Sequence, residues 1–120
     1  MNLPIQTFTG ATTMETVLVW LAAAAFLVGA IINASGHPAI RTTFVRLGFP
    51  PWWCWVTSAL EFLTAVLLVT AGGRMFGVGL GACIMLTAIA AIVRARYYRE
   101  LPPPLIFLVL LALAGLSSHA

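Results

Sequence analysis

Glu61 is one of three acidic residues in the 120-residue chain, and it falls near the middle of the run WWCWVTSALEFLTAVLLVTA, residues 52–71. That run has the length and apolarity of a membrane span. Thr57, Ser58 and Thr64 stand at i−4, i−3 and i+3 from the acid, the spacing of neighbours on one helix face. A charged side chain at the bilayer centre costs about 2.5–3.5 kcal/mol even on a forgiving insertion scale. No arginine lies at the same depth, so desolvation favours the uncharged acid and Glu61 is expected to be neutral at pH 7. A neutral carboxyl group inside a bundle can donate a hydrogen bond or a proton. Glu61 is therefore the candidate catalytic residue and the first candidate for ligand contact. The plainer alternative is that it ties helices together by hydrogen bonds.

Composition sets the class that must position this group. Hydrophobic residues make up 62% and charged residues 8% of the chain, against about 25% charged in a typical soluble domain. The expectation is an all-α, polytopic membrane protein. At roughly 20 residues per span, the length holds a single membrane domain of four transmembrane helices with short connections. The net charge of +3 comes from arginines alone. They cluster at helix ends and loops, which reads as topology and contact with membrane lipids. A nucleic-acid partner would require a long exposed basic face, and the sequence has none. Cys54 and Cys83 make no CxxC pair and no His cluster accompanies them, so no metal site or dithiol chemistry is expected. Residues 1–13 carry no positive side chain, and the apolar stretch after them is long enough to stay in the membrane, so a short polar tail is expected rather than a signal peptide.

The spans are expected at about 14–33, 52–71, 75–93 and 104–118. In the first, the alanine run Ala22–Ala25 lets a neighbouring helix approach closely. Between the first two spans, Pro38 suits the first turn of a helix and Gly48 the position just past its end. Ile40, Phe44 and Leu47 then share one face, so a short amphipathic helix at about 38–47 is expected at the membrane surface. Trp52, Trp53 and Trp55 read as an aromatic belt at the headgroup level, with ligand stacking the less favoured alternative. Gly77-x-x-x-Gly81 reads as a helix-packing face. Leu101-Pro102-Pro103-Pro104 reads as an extended elbow before a short last span, whose apolar run is Leu105–Leu116. Arg41, Arg46, Arg94, Arg96 and Arg99 fall on one side and Arg74 alone on the other, which puts the first group in the cytoplasm and both termini outside.

Depth along antiparallel helices tests the candidate pairs. Measured from the turn at Gly72-Gly73-Arg74, Cys54 lies about 25 Å away and Cys83 about 10 Å, too far apart for the ~7 Å limit of a disulfide. Both are expected as small core residues. Glu61 lies about 15 Å from the same turn, level with Leu86–Thr87 and with the alanine run. Thr87 is thus the expected cross-helix partner, and the alanines leave room for a small cavity. Asn33, at the end of the first span, can hydrogen-bond to the connection that follows or to a ligand headgroup. The candidate ligand contacts are Glu61, Thr57, Ser58, Thr64, Thr87 and Asn33. His37, beside Pro38 with no acid adjacent in sequence, reads as a surface residue.

From Gly29 to Ala71 the order of features is specific. A span ends near Gly29, a connection holds His37-Pro38, Arg46-Leu47-Gly48-Phe49-Pro50 follows, and then Ser58-x-x-Glu61. This resembles the DoxX-like family of small four-helix membrane proteins, whose pattern has a Leu-Gly-aromatic-Pro corner followed by an acid in the second helix. The layout matches over roughly residues 17–116. The chain departs at Asn33, near where many members carry a lysine. The resemblance implies a bacterial inner-membrane protein, associated in some members with oxidoreductase or quinone-linked complexes.

Together these features favour an integral membrane protein that binds a small apolar, quinone-like molecule or serves as membrane subunit of an oxidoreductase complex. No redox motif is recognisable in the sequence, so electrons would come through an oxidoreductase partner subunit, and a stand-alone enzyme is disfavoured. The oligomeric state is open. One alternative is a proton-coupled exporter like the small multidrug resistance transporters, although their acid lies in the first helix. Another is a stand-alone isomerase-type membrane enzyme with Glu61 as general acid.

Overall fold

Each long apolar run folds as a helix, because an apolar environment leaves backbone N–H and C=O groups no partners but each other. The structure, a computed structural model, describes residues 11–70 and 72–119. Helix α1 is Ala11–Ala34, α2 Pro38–Arg46, α3 Trp53–Val69, α4 Arg74–Ala95 and α5 Pro102–His119, with a 3-10 turn at Tyr98–Glu100 ahead of α5. Among the described residues there is no strand. Three stretches are long and apolar enough to cross a membrane: Met14–Ala34, Arg74–Ala95 and Tyr98–Leu116. Helix α3 is apolar but shorter, at 17 residues. Large apolar side chains face outward, Phe76 being 74% and Leu116 70% exposed, a surface that lipid chains rather than water must cover. The protein is a multi-pass membrane protein.

Helices α1, α3, α4 and α5 pack in a ring, α1 and α4 each touching both α3 and α5. Val19, Ala22, Ala23, Phe26, Leu68, Met85 and Leu111 close its centre, with the Phe26 ring edge-on to Phe107 at 5.1 Å. Ala22 and Ala23 of the alanine run sit in a packed core beside Ala65 and Leu68, with Ala22 fully buried, while Ala24 faces outward. The run does not open a cavity beside Glu61. The glycine face on α4 packs as expected. A Cβ added at Gly77 would stand 2.9 Å from the Leu68 backbone nitrogen, and one at Gly81 within 3.0 Å of Phe26 and Thr64 side chains.

Two segments differ from expectation. The three prolines do not form an extended elbow but the first turn of α5. The first N–H groups of a helix have no intrahelical acceptor, so prolines there forfeit nothing. As a result α5 is not the short helix, and α3 is. At the other end, α1 begins at Ala11, inside the stretch expected as a polar tail; residues 1–10 lie outside the described residues.

Arg74, alone at its end of the bundle, donates to Glu15 at 2.6 Å and joins the start of α4 to α1. Both side chains keep about a quarter of their surface exposed. Glu15→Gln is expected to lower stability by no more than about 1 kcal/mol. Unfolding in detergent at low and high salt checks this, because the difference should shrink as salt rises.

Candidate functional site

The short helix α2 covers one end of the ring, and its two ends show why it forms. The His37 Nδ1 accepts the Ala39 N–H at 3.1 Å and caps the first turn, ahead of Pro38. At the far end the Phe49 N–H reaches the Phe44 carbonyl at 2.9 Å and the Gly48 N–H the Val45 carbonyl at 3.0 Å. This pair of bonds defines a Schellman close, which needs a left-handed residue just past the helix; Gly48 supplies it at φ +97. The Phe44 and Phe49 rings meet edge-on at 6.2 Å across that corner. So the Leu-Gly-Phe-Pro corner is a helix stop, and His37 is a cap.

Beneath α2 lies a cavity of about 820 Å³, within the range of small-molecule sites. Ile40, Phe44 and Leu47 of α2 form part of its wall, with Gly29 and Asn33 from α1, Trp53, Thr57 and Glu61 from α3, Cys83 and Thr87 from α4, and Glu100 and Phe107 from the start of the last span. Most of the wall is apolar. Trp53, expected chiefly as a belt residue, stacks on Phe49 with ring centroids 5.8 Å apart and planes 6° from parallel. Trp55 instead donates its indole N–H to the Ala34 carbonyl at 3.1 Å, closing the end of α1. Trp52 packs edge-on to Trp53 at 5.6 Å.

Glu61 is 4% exposed. Its Oε1 accepts a hydrogen bond from Asn33 Nδ2 at 2.6 Å. Its Oε2 lies where a side chain on residue 29 would have to go, 2.8 Å from a Cβ built at Gly29. Asn33, not Thr87, is thus the cross-helix partner. Counting Cα depth alone overlooks that helical side chains lean toward their own N-termini. In the antiparallel pair α1/α3, Glu61 leans toward the Asn33 end and Asn33 leans inward to meet it. The missing atom at Gly29 supplies the space that counting assigned to the alanines.

The six candidate ligand contacts divide. Asn33, Thr57, Glu61 and Thr87 line the cavity. Ser58 does not: its hydroxyl is buried against α1 and donates to the Ala30 carbonyl at 2.7 Å. Neither does Thr64, which is fully buried and donates within its own helix to Leu60 at 2.8 Å. A spacing of three residues turns each about 60° to one side of Glu61, enough to point Ser58 at α1, while Thr64 lies a turn deeper in the core. Cys54 is buried and free; Cys83 is free and exposed on the cavity wall rather than in the core. Gly29 and Glu100 are the site residues that pattern reading passed over. A glycine four residues ahead of Asn33, one turn earlier on the same helix face, was the available signal for Gly29.

A family model described as the DoxX-like family matches residues 17–114. No curated protein matches the chain, and no solved structure does.

Proposed function

The chain belongs to the DoxX-like family, and on that premise we propose that it is a bacterial inner-membrane protein whose cavity binds a small apolar, quinone-like molecule in support of an oxidoreductase complex. The observation that carries this reading is the pairing of buried Glu61 with half-buried Asn33 in the wall of an otherwise largely apolar cavity. A quinone ring presents carbonyl oxygens, which need donors, on an apolar body. The hydroxyls of Thr57 and Thr87 can donate, as can a neutral Glu61. The Phe49–Trp53 stack offers a flat wall to a planar ring. When bound, such a molecule would supply the electron-carrying chemistry. The chain's own residues orient it, exclude lipid from its polar end and hold a proton at Glu61.

In this reading α3 is a fourth span. Seventeen residues reach about 25 Å, which local thinning of a ~30 Å core accommodates. The arginine-rich end, with Arg41, Arg46, Arg94, Arg96 and Arg99, faces the cytoplasm, and both termini lie outside. A partner subunit passes electrons to or from the bound molecule.

Wild-type protein and Glu61→Gln, each purified from membranes, test the site. Mass spectrometry identifies co-purifying quinones, lipids and proteins, and a decylubiquinone titration gives affinity. The variant is expected to lose bound quinone and to bind the probe at least about tenfold more weakly, a deficit of 1.4 kcal/mol. Unchanged cargo and affinity, with a lower melting temperature alone, would assign Glu61 to structure. Redox turnover by the purified protein without a partner would overturn the subunit role.

A further inference from the structure

Three polar groups on the cavity wall have no hydrogen-bond partner among the described residues: the hydroxyls of Thr57 and Thr87 and the carboxyl group of Glu100. Most other described hydroxyls are bonded, Thr42, exposed on α2, being an exception. Thr43, Thr64 and Thr70 each return their hydroxyl to a backbone carbonyl one turn back, and Ser58 finds one on α1. Of the acids, Glu15 is paired with Arg74 and Glu61 with Asn33. Glu100 follows Arg99 directly and stands close in sequence to Arg94 and Arg96, yet bonds none of them. Arg94 donates to the Leu47 carbonyl at 3.4 Å and Arg46 lies over the Tyr97 ring at 4.7 Å. No arginine or histidine lines the cavity among the described residues.

The unpartnered groups fall in order of depth. Phe107 marks the level of Glu61, because a Cβ at Gly29 would meet Phe107 at 3.4 Å and Glu61 at 2.8 Å. Glu100 precedes Phe107 by about two helical turns, so it stands about 10 Å nearer the arginine-rich end. Thr57 is one turn from Glu61 toward that same end, about 6 Å along the axis. On α4, Gly81 abuts Thr64, which sets Ile84 opposite Glu61 and Thr87 about 5 Å further toward Glu100.

From this order we propose that Glu100 is the outer of two proton-carrying carboxyl groups on the cavity, exchanging protons between water at the arginine-rich end and Glu61 by way of the Thr57 and Thr87 hydroxyls. The proposal deepens the reading of the cavity as a binding site, since a quinone-like guest takes up and gives up protons as it changes redox state. A proton entering passes from water to Glu100, then through waters in the cavity that bridge the Thr57 and Thr87 hydroxyls, each giving up one proton as it takes the next, to the Glu61 carboxyl group; the return reverses each transfer and leaves no net charge. Acids arranged in series are the usual carriers of protons at membrane depth.

Infrared spectroscopy of the ligand-free protein tests this. With three acidic side chains in the chain, the Glu61 carboxyl band is identified by subtracting the spectrum of Glu61→Gln, and its exchange is timed after transfer to heavy water. Glu100→Gln is expected to slow that exchange at least about tenfold, and Glu100→Asp to restore it. Exchange in Glu100→Gln at the wild-type rate would overturn the proposal. Because Glu100 bonds no side chain, Glu100→Gln should melt with the wild type. Should it not fold, the double substitution Thr57→Val with Thr87→Val serves instead, and an unchanged rate there would equally overturn the route. Decylubiquinone affinity is read separately, so a cavity that binds no quinone is distinguished from a proton route that does not exist.

Discussion

Asn33→Leu is expected to lower stability by about 1–2 kcal/mol and, on the proposed reading of the cavity, to weaken decylubiquinone binding along with it. The substitution keeps the branching and heavy-atom count of the side chain but takes away the Nδ2 that donates to Glu61 at 2.6 Å. It leaves an acid that is 4% exposed without its one side-chain donor, and an unmet polar group in a low-dielectric interior costs more than the bond is worth in water. Glu61→Leu should cost a similar amount for the converse reason. The double variant, with both polar groups gone, should lose less than the two single losses combined. A double-mutant cycle by unfolding in mixed micelles measures that coupling. Single effects that add to within about 0.5 kcal/mol would show that the pair does not form.

Gly77→Val carries the other large effect, a loss of about 3 kcal/mol. A Cβ at this position meets the backbone nitrogen of Leu68 at 2.9 Å and the Leu67 side chain at 3.0 Å. Backbone in a hydrogen-bonded helix cannot turn aside as a side-chain tip can, so α3 and α4 must separate. Their separation opens the core at Leu68, which is fully buried. Gly79→Ala is the control on the same helix, because nothing lies within 4 Å of a Cβ there; it should be neutral or gain up to about 1 kcal/mol from helix propensity. Thermal unfolding in detergent compares the two. Equal behaviour of Gly77→Val and Gly79→Ala would rule out the close approach.

Much of the fold was legible because membrane helices announce themselves by length and apolarity. Pro38 and Gly48 bracketed α2 to within a residue of its observed end, since each acts through local backbone geometry. The proline run departs from the expected elbow because a proline-rich stretch suits either an extended linker or a helix start. What decided between them was that Leu101 and the residues after it pack against the bundle, with Leu101 near Ile92 and Ala91. At the site, Glu61 stood out from sequence because an acid in an apolar run is costly wherever its side chain points. Its partner did not. Equal depth counted on Cα atoms named Thr87, whereas the lean of antiparallel side chains favoured Asn33, and that lean acts between helices whose register no local pattern reveals.

By itself, then, the sequence determined the membrane class, the helical elements with their stops, the family and the acid at the centre of the site. These depend on composition, on period and on residues whose effects reach only a few positions along the chain. Only the tertiary structure decided which faces meet. It joined Asn33 to Glu61, made room at Gly29 and turned Ser58 and Thr64 away from the cavity. It also brought Glu100, distant in sequence from every other candidate, to the same wall. The physical reason is that a cavity is the space several helices leave unfilled together. Its lining follows from their relative register and rotation, and those are set by packing at contacts such as Gly77 against Leu68, far from the residues that line it.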